Sequence, residues 1–339
     1  MKTILLAAAL AVSAVPAAVD KPPVIKEWPV PWADTRPRDP YVDPTTGRIW
    51  FCGQAGNYLA YLDPGSGEFK RFEFPNGERV GPHNLIVDKK GVVWYAGNLA
   101  GHIGSLDPKN GTWKRYPMTD STVKDPHTLV FDQKGDIWFT AQGGNAIGKL
   151  TVSTGKVQIV KVTGERSRPY GIRIDSKGRP WVVLFGTNKL ATVDPATMQL
   201  REIPLPRAES RPRRLEIPSD GKIYYGDYST GSLGRYDPVS GKFDEWPLPG
   251  GPSSRPYGMA TDGEDRVWVV ETAREGPNRF IAFDTKTLKF SEPTAVPSGG
   301  GTVRHMYYDA ASKSIWFGTD ANTIGQAVVP AREATPASP

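Results

Sequence analysis

The stretch Gly81–Met118, GPHNLIVDKKGVVWYAGNLAGHIGSLDPKNGTWKRYPM, decides the fold. It contains four short apolar runs that are separated by residues typical of turns, such as Asp-Lys-Lys-Gly and Asp-Pro. Short runs rich in Val, Ile, Trp and Tyr between such turns indicate β-strands. The stretch is therefore predicted to form four consecutive strands joined by tight turns.

Copies of this pattern return along nearly the whole chain. The aromatic residue of the second run recurs at intervals of 43 to 48 residues. Its seven positions are Trp50, Trp94, Trp138, Trp181, Tyr224, Trp268 and Trp316. A repeat of about 40–45 residues with four strands is typical of propeller blades, which bury their faces against one another. The sequence therefore predicts an all-β, seven-bladed β-propeller with four-stranded blades.

The two ends of the repeat array indicate how the ring closes. The seventh copy, from Thr302, has only three strands, whereas Ile25–Pro31 matches the outer strand Phe243–Pro249 in pattern. We expect the N-terminal strand to join the last blade, because this closes the ring and removes an open sheet edge. A single propeller domain is thus predicted over residues 19–330, and residues 331–339 are predicted to be a disordered tail.

The N-terminus and the composition limit the class of protein. Residues 1–18 have the layout of a secretory signal peptide, and their apolar run Ile4–Val12 is too short to span a bilayer. We therefore expect a periplasmic or secreted protein without a transmembrane segment. Cys52 is the only cysteine, which excludes an intrachain disulfide. The formal charge of +6 is spread over interspersed charges, so we expect no binding of nucleic acid. We also expect a monomer whose partner is a small anionic or cyclic-ester ligand or an envelope protein.

Eleven residues before the aromatic anchor, each copy places one residue at the start of its first strand. The seven residues at this offset are Asp39, His83, His127, Tyr170, Arg213, Tyr257 and His305. Because the first strand of a blade is the innermost, these side chains are predicted to surround one mouth of the central channel. A cluster of histidines with a carboxylate can bind a metal or transfer protons near neutral pH. The alternative is that these side chains simply pack the mouth.

Charged residues are also predicted near this mouth. Two residues further upstream, blades 4, 5 and 6 carry Arg168, Arg211 and Arg255. Together with Arg213 they are predicted to form a basic arc that binds a carboxylate or phosphate by charge-assisted hydrogen bonds. The alternative is that they pair with carboxylates of neighbouring blades.

Three acidic residues lie at related positions. Asp125 occupies the upstream offset in blade 3, which makes it a candidate partner of His127. Asp227 and Glu271 follow the aromatic anchors of blades 5 and 6 by three residues. Acids at the end of a buried strand need a partner or a cation, and the rim arginines and Mg²⁺ are the two candidates.

Four motifs carry a resemblance to a known family. They are RPYGI at 168–172, DIWFT at 136–140, NAIGKL at 145–150 and FDEWPLP at 243–249. They resemble the repeat of the virginiamycin B lyase (streptogramin lyase) family, and the resemblance extends over residues 24–329. It implies a seven-bladed propeller and, for the characterised members, Mg²⁺-dependent opening of a cyclic depsipeptide lactone by elimination. In that chemistry a histidine of a Pro-His step removes the proton next to the ester carbonyl, and Mg²⁺ held through glutamates polarises the carbonyl.

No single blade carries the complete family pattern, which places two acids around a Pro-His histidine. Blade 3 has Ala141 in place of the glutamate, blade 6 has Tyr257 in place of the histidine, and blade 7 has neither acid. Two functions are therefore expected: a metal-assisted carbon–oxygen lyase or lactonase-like activity on a small cyclic ester, or non-catalytic binding of an anionic ligand or an envelope protein.

The residues expected at the site fall into three groups. The histidines expected to be catalytic are His127, His305 and His83. The carboxylates expected near Mg²⁺ are Glu271, Asp227 and Asp125. The side chains expected to bind the substrate or ligand are Arg168, Arg211, Arg213, Arg255, Tyr170 and Tyr257.

Overall fold

A computed structural model of the protein describes residues 21–332. Over this range the chain forms 29 β-strands in seven antiparallel sheets and one short 3-10 turn, Pro75–Gly77. No helix in this range is long and apolar enough to cross a bilayer. The signal peptide predicted for residues 1–18 lies outside the described residues, as do residues 333–339.

Each sheet is one blade, and its strands follow one another from the channel outward. The N-terminal strand β1 is Val24–Pro29. Blade 1 consists of β2 (Pro37–Val42), β3 (Ile49–Gly53), β4 (Tyr58–Leu62) and β5 (Phe69–Glu73). Blade 2 consists of β6 (Pro82–Val87), β7 (Val93–Gly97), β8 (His102–Asp107) and β9 (Thr112–Pro117). Blade 3 consists of β10 (Pro126–Phe131), β11 (Ile137–Ala141), β12 (Ala146–Thr151) and β13 (Lys156–Lys161).

The remaining blades repeat this order. Blade 4 consists of β14 (Pro169–Ile174), β15 (Pro180–Leu184), β16 (Lys189–Val193) and β17 (Leu200–Pro204). Blade 5 consists of β18 (Pro212–Glu216), β19 (Ile223–Asp227), β20 (Ser232–Tyr236) and β21 (Phe243–Pro247). Blade 6 consists of β22 (Pro256–Thr261), β23 (Arg266–Glu271), β24 (Arg279–Asp284) and the short outer strands β25 (Lys289–Phe290) and β26 (Thr294–Ala295). Blade 7 contains β27 (Val303–Asp309), β28 (Ser314–Thr319) and β29 (Thr323–Val328).

The prediction of an all-β, seven-bladed propeller is confirmed. The first strand of each blade packs against the first strands of both neighbouring blades, and β27 of blade 7 packs against β2 of blade 1. The fourth strand of blade 7 is β1, which pairs antiparallel with β29 from Val24↔Val328 to Pro29↔Thr323. Arg332 forms ion pairs with Glu264 and Asp284, so the contacts of the chain extend past the predicted domain end at 330.

The turn aspartates explain why the anchor tryptophans recur. In blade 2, Oδ1 of Asp88 accepts hydrogen bonds from the backbone N–H groups of Lys90 and Val92, and Oδ2 accepts one from the indole of Trp94 at 3.1 Å. The same aspartate–indole bond forms in blades 3, 4 and 6. In these four blades the anchor therefore fixes its first hairpin turn as well as filling the space between blades.

A glycine in the third strand is required by close packing within the blade. A Cβ atom at Gly148 would lie 2.1 Å from the ring of Phe139, far inside van der Waals contact. The Ile-Gly step of the repeat is thus dictated by the aromatic residue of the second strand.

Candidate functional site

The residues at the first-strand offset meet at one mouth of the channel, as predicted, and are called the mouth ring: Asp39, His83, His127, Tyr170, Arg213, Tyr257 and His305. The imidazole centroids of His83 and His127 lie 3.7 Å apart, and His127 and Tyr170 are 4.2 Å apart. The hydroxyls of Tyr170 and Tyr257 share a hydrogen bond across the channel. His83, His127, Tyr170 and Tyr257 therefore form a continuous row of packed side chains.

A β-bulge in every first strand brings a second residue of each blade into this cluster. In blade 3, Pro126 pairs with Ala141 and Leu129 with Phe139, so His127 and the next residue face a single residue of the second strand. The bulge in blade 2 lets the residue after His83 reach both neighbouring blades. There Asn84 donates to Asp39 Oδ2 at 2.9 Å and accepts from the N–H of Leu129 at 2.8 Å. Bulges of this kind re-aim side chains next to functional sites.

Asp39 is the buried carboxylate of the cluster, and two arginines flank it. Arg38 Nε donates to Asp39 Oδ1 at 3.1 Å, and Arg214 Nη2 lies 3.8 Å from Oδ2. Arg214 spans the channel from blade 5, donating to Thr128 Oγ1 at 3.2 Å and to the carbonyl of Arg304 at 3.3 Å. Burial raises the pKa of the Asp39 carboxyl, but the surrounding charges, Arg38 foremost, outweigh this and hold it well below its usual range.

The three histidines of the mouth ring carry no charge at neutral pH. Burial, together with the neighbouring guanidinium groups, lowers the pKa values of His83 and His127 well below the usual range. Burial likewise lowers the pKa of His305 to about 3. The charges packed around Asp39 are therefore two guanidinium groups against one carboxylate, an excess of positive charge inside the channel.

Three aromatic side chains surround the guanidinium of Arg213 and are called the aromatic box. Its guanidinium carbon is 3.6 Å from the ring centroid of Tyr257, 4.4 Å from Tyr228 and 4.7 Å from Phe185. Within residues 21–332 no carboxylate forms an ion pair with Arg213. Cation–π contacts of this kind hold a guanidinium in place without neutralising its charge.

Tyr170 has a hydroxyl whose pKa is lower than is usual for tyrosine. Burial raises the pKa of its hydroxyl, but Arg213, Arg214 and Arg38, with the hydrogen bond from Tyr257, outweigh burial and lower the pKa to about 8. The partner hydroxyl of Tyr257 has a raised pKa, because burial and the neighbouring Tyr170 disfavour its ionisation. The pair is therefore expected to hold a single phenolate above about pH 8.

The predicted arginines of the basic arc do not all contact the same site. Arg168 is exposed, and its backbone N–H donates to Asn145. The guanidinium of Arg211 is bound by the carbonyls of its own loop, at Ala208 and Ser210. Arg255 reaches the aromatic box, 5.8 Å from the ring of Tyr228. Of the predicted arc, Arg213 and Arg255 therefore contact the box.

The carboxylates predicted near Mg²⁺ lie in three different blades, and each accepts hydrogen bonds from backbone N–H groups close to it. Asp125 accepts from the N–H groups of Gly143 and Gly144, while His127 contacts Thr128 Oγ1 and not Asp125. Asp227 Oδ1 accepts from the backbone N–H of Arg211 at 2.9 Å, whereas its buried Oδ2 atom has no hydrogen-bond partner in the described chain.

Glu271 pairs with Arg279 and accepts from the N–H of Gly250 at 2.6 Å. In the described part of the chain no three His, Cys, Asp or Glu side chains are grouped so that they could hold a metal ion. The three carboxylates predicted near Mg²⁺ therefore do not meet in one site.

Several residues of the site were not predicted. Arg38, Asn84 and Arg214 adjoin the mouth-ring positions, and Phe185 and Tyr228 follow the anchor aromatics by four residues. In a strand with regular alternation the side chains of Arg38, Asn84 and Arg214 would point away from the channel. The bulge turns them toward it. The signal that was present in the sequence is the pair of consecutive arginines at 213–214 in the inner strand of blade 5.

The fold and the site together define a seven-bladed β-propeller with a buried, positively charged, histidine-containing cluster at one channel mouth. The chain belongs to the virginiamycin B lyase family, whose model matches residues 17–178 and 155–332. The family resemblance seen in the repeat motifs is thereby confirmed. A comparison with curated proteins gives no match.

Solved structures share the fold at low sequence identity. A streptogramin B lyase structure is 24% identical, with a TM-score of 0.80 over 91% of this chain and 98% of that chain. A virginiamycin B lyase from Staphylococcus aureus is 21% identical, with a TM-score of 0.80 over 91% of this chain and 100% of that chain. The extracellular domain of a hybrid two-component system from B. thetaiotaomicron is 17% identical, with a TM-score of 0.70 over 91% of this chain and 43% of that chain.

Proposed function

We propose that this chain is a ligand-binding propeller that holds a small molecule with carboxylate or phosphate groups at the mouth ring. The observation that carries the proposal is the excess of guanidinium groups there. Arg38 and Arg214 flank the single carboxylate of Asp39, the histidines are neutral, and Arg213 of the same ring has no ion-pair partner in the described chain. An anion compensates such an excess better than a metal cation does.

The hydrogen-bond inventory supports an anionic ligand. The buried atoms Arg38 Nη2, Arg214 Nη2 and Arg213 Nε have no hydrogen-bond partner in the structure. A buried N–H group without an acceptor is costly, and these atoms leave the positive charge beneath the mouth without a matching acceptor in the described chain. The aromatic box of Tyr257, Tyr228 and Phe185 provides flat surface for the non-polar part of such a ligand.

Binding of citrate and inorganic phosphate to the mature protein tests this proposal. Both should bind with an affinity that falls as salt is added, since the interaction is between charges. Arg213→Met should weaken binding at least about tenfold, because charge-assisted hydrogen bonds each contribute roughly 1.5–3 kcal/mol. Isothermal titration calorimetry at low ionic strength measures both effects.

A matched control is available in the same blade. Arg235 also stacks on aromatic rings, those of Trp246 and Tyr224, but lies on the outer part of blade 5 and pairs with Asp244. Arg235→Met should leave citrate and phosphate binding unchanged. The proposal is wrong if neither anion binds the parent protein, or if both arginine variants bind like the parent.

A second candidate is the lyase activity on a small cyclic ester, which family membership and the similarity to two lyase structures favour. Here His127, the histidine of the Pro-His step in blade 3, would take the proton. Under this candidate the protein opens the ring of quinupristin, and His127→Ala stops turnover while circular dichroism stays unchanged. Mass spectrometry of the incubated compound decides, and intact quinupristin after prolonged incubation excludes this activity for that substrate.

A further inference from the structure

A groove of about 580 Å³ lies on blade 6, at the same end of the propeller as the mouth ring. One of its walls is the loop between β21 and β22, and the other is the loop between β23 and β24. The second loop has seven residues, 272–278, whereas the corresponding loops of blades 1 to 5 have four each. Ligand pockets typically measure about 300–1,000 Å³, so the groove is large enough to hold part of a small molecule.

Two guanidinium groups in the groove are free to bind a ligand. Arg255 and Arg274 line the groove from its two loops, and their side chains are partly exposed and exposed, respectively. Neither side chain forms an ion pair with any residue between 21 and 332. The buried Glu271 is already paired with Arg279. This leaves the exposed Glu275 as the acid that opposes the two arginines, so the groove has an excess of positive charge.

Arg255 connects the groove with the aromatic box. Its guanidinium carbon lies 5.8 Å from the ring centroid of Tyr228, and that of Arg213 lies 4.4 Å from the same ring. The two guanidinium carbons are therefore no farther apart than these two distances taken together. The carbonyl of Arg255 accepts a hydrogen bond from Thr272 Oγ1 at 2.8 Å, and its φ of 51° lies in the left-handed region. Residues other than glycine are uncommon in this region and cluster at ligand-binding sites.

We propose that the anionic ligand of the mouth ring is an elongated molecule with an anionic group at each end, and that its second anionic group binds Arg255 and Arg274 in this groove. Its non-polar middle lies on the ring of Tyr228, which both binding positions share. A guanidinium binds carboxylate and phosphate groups through two parallel hydrogen bonds. This inference rests on the proposed anion-binding function and specifies the class of ligand.

Titration of the mature protein with glutarate and pentanoate tests the inference. The two acids have the same five-carbon chain, but only glutarate has a carboxylate at both ends. We expect glutarate to bind at least about tenfold more tightly, because it forms one more charge-assisted contact. Arg255→Met should bring the two affinities together. Isothermal titration calorimetry at low ionic strength measures them, and equal affinities in the parent protein overturn the inference.

Three further variants locate the second anionic group through the ratio of the glutarate affinity to the pentanoate affinity. Arg274→Met should lower this ratio and Glu275→Gln should raise it, each about twofold, since both residues are exposed. Arg211→Met is the matched control, because Arg211 occupies the offset of Arg255 in blade 5 but is bound by the carbonyls of Ala208 and Ser210. It should leave the ratio unchanged. A ratio that is the same in all three variants contradicts the inference.

Inorganic phosphate separates this inference from the proposed function, because it has a single anionic group that the mouth ring alone can bind. If phosphate binds but glutarate binds no more tightly than pentanoate, the groove does not bind a second anionic group and the proposed function stands. If phosphate, glutarate and pentanoate all fail to bind, the proposed function is wrong and this inference is wrong with it.

Discussion

The Asp39→Asn variant is expected to lose about 3–5 kcal/mol of unfolding free energy, the cost typical of removing one partner of a buried ion pair. The substitution leaves Arg38 and Arg214 facing each other inside the channel without a carboxylate between them. Asparagine keeps the shape of the side chain and tolerates the positive φ of 51° at this position, so the backbone adds little to the loss. Urea denaturation followed by tryptophan fluorescence measures the effect.

Two further variants separate the charge from other causes. Asp244→Asn breaks the exposed pair with Arg235 and should cost less than about 1 kcal/mol. Combining Asp39→Asn with Arg38→Met removes one unpaired charge and should recover part of the stability, which a double-mutant cycle quantifies. A loss at Asp39 no larger than at Asp244 would show that the channel charges are compensated in another way.

Much of the fold could be predicted because it follows from the regular spacing of residues along the sequence. The anchors from Trp50 to Trp316 gave the number of blades, and the turn aspartates that bond the indoles gave the first hairpins. The same spacing located the mouth ring, since the residue eleven positions before each anchor begins the innermost strand. Packing between blades then requires no information beyond the repeat.

The chemistry of the site was less accessible from the sequence for two physical reasons. The bulges in the first strands break the alternation of side chains, so the inward direction of Arg38, Asn84 and Arg214 does not follow from a regular strand. The loops also fold back onto the predicted metal ligands. The backbone N–H groups of Gly144 and Gly250 bind Asp125 and Glu271, and such contacts depend on loop geometry that no residue type reports.

These two features underlie the anion-binding function that we propose. A carboxylate that already accepts backbone and arginine hydrogen bonds is a poor ligand for a cation, whereas guanidinium groups without acceptors attract an anion. Under the proposed function, the propeller therefore keeps the family architecture and binds an anion at its mouth.

The Tyr170–Tyr257 pair is expected to lose one proton near pH 8, well below the usual tyrosine pKa of about 10. In the unfolded chain both phenols keep their protons until about pH 10, so unfolding takes up a proton between pH 8 and pH 10. The free energy of unfolding should therefore rise with pH over this window, by about 2–3 kcal/mol for a shift of about two pH units. Phenolate absorbance of the folded protein and urea denaturation across the window measure the two effects.

The same ionisation links stability to ligand binding. A phenolate at Tyr170 lies within 5.2 Å of the Arg213 guanidinium, measured from its carbon to the ring centroid, and would neutralise the charge that binds the anion. Citrate affinity should therefore fall as the pH rises through 8, and Tyr170→Phe should remove both this fall and the early absorbance change. Tyr225→Phe is the matched control, because burial raises the pKa of that tyrosine and its loss should leave both effects in place. Early phenolate absorbance that persists in Tyr170→Phe would assign the proton to another residue, and a pH-independent citrate affinity would separate the phenolate from the anion site.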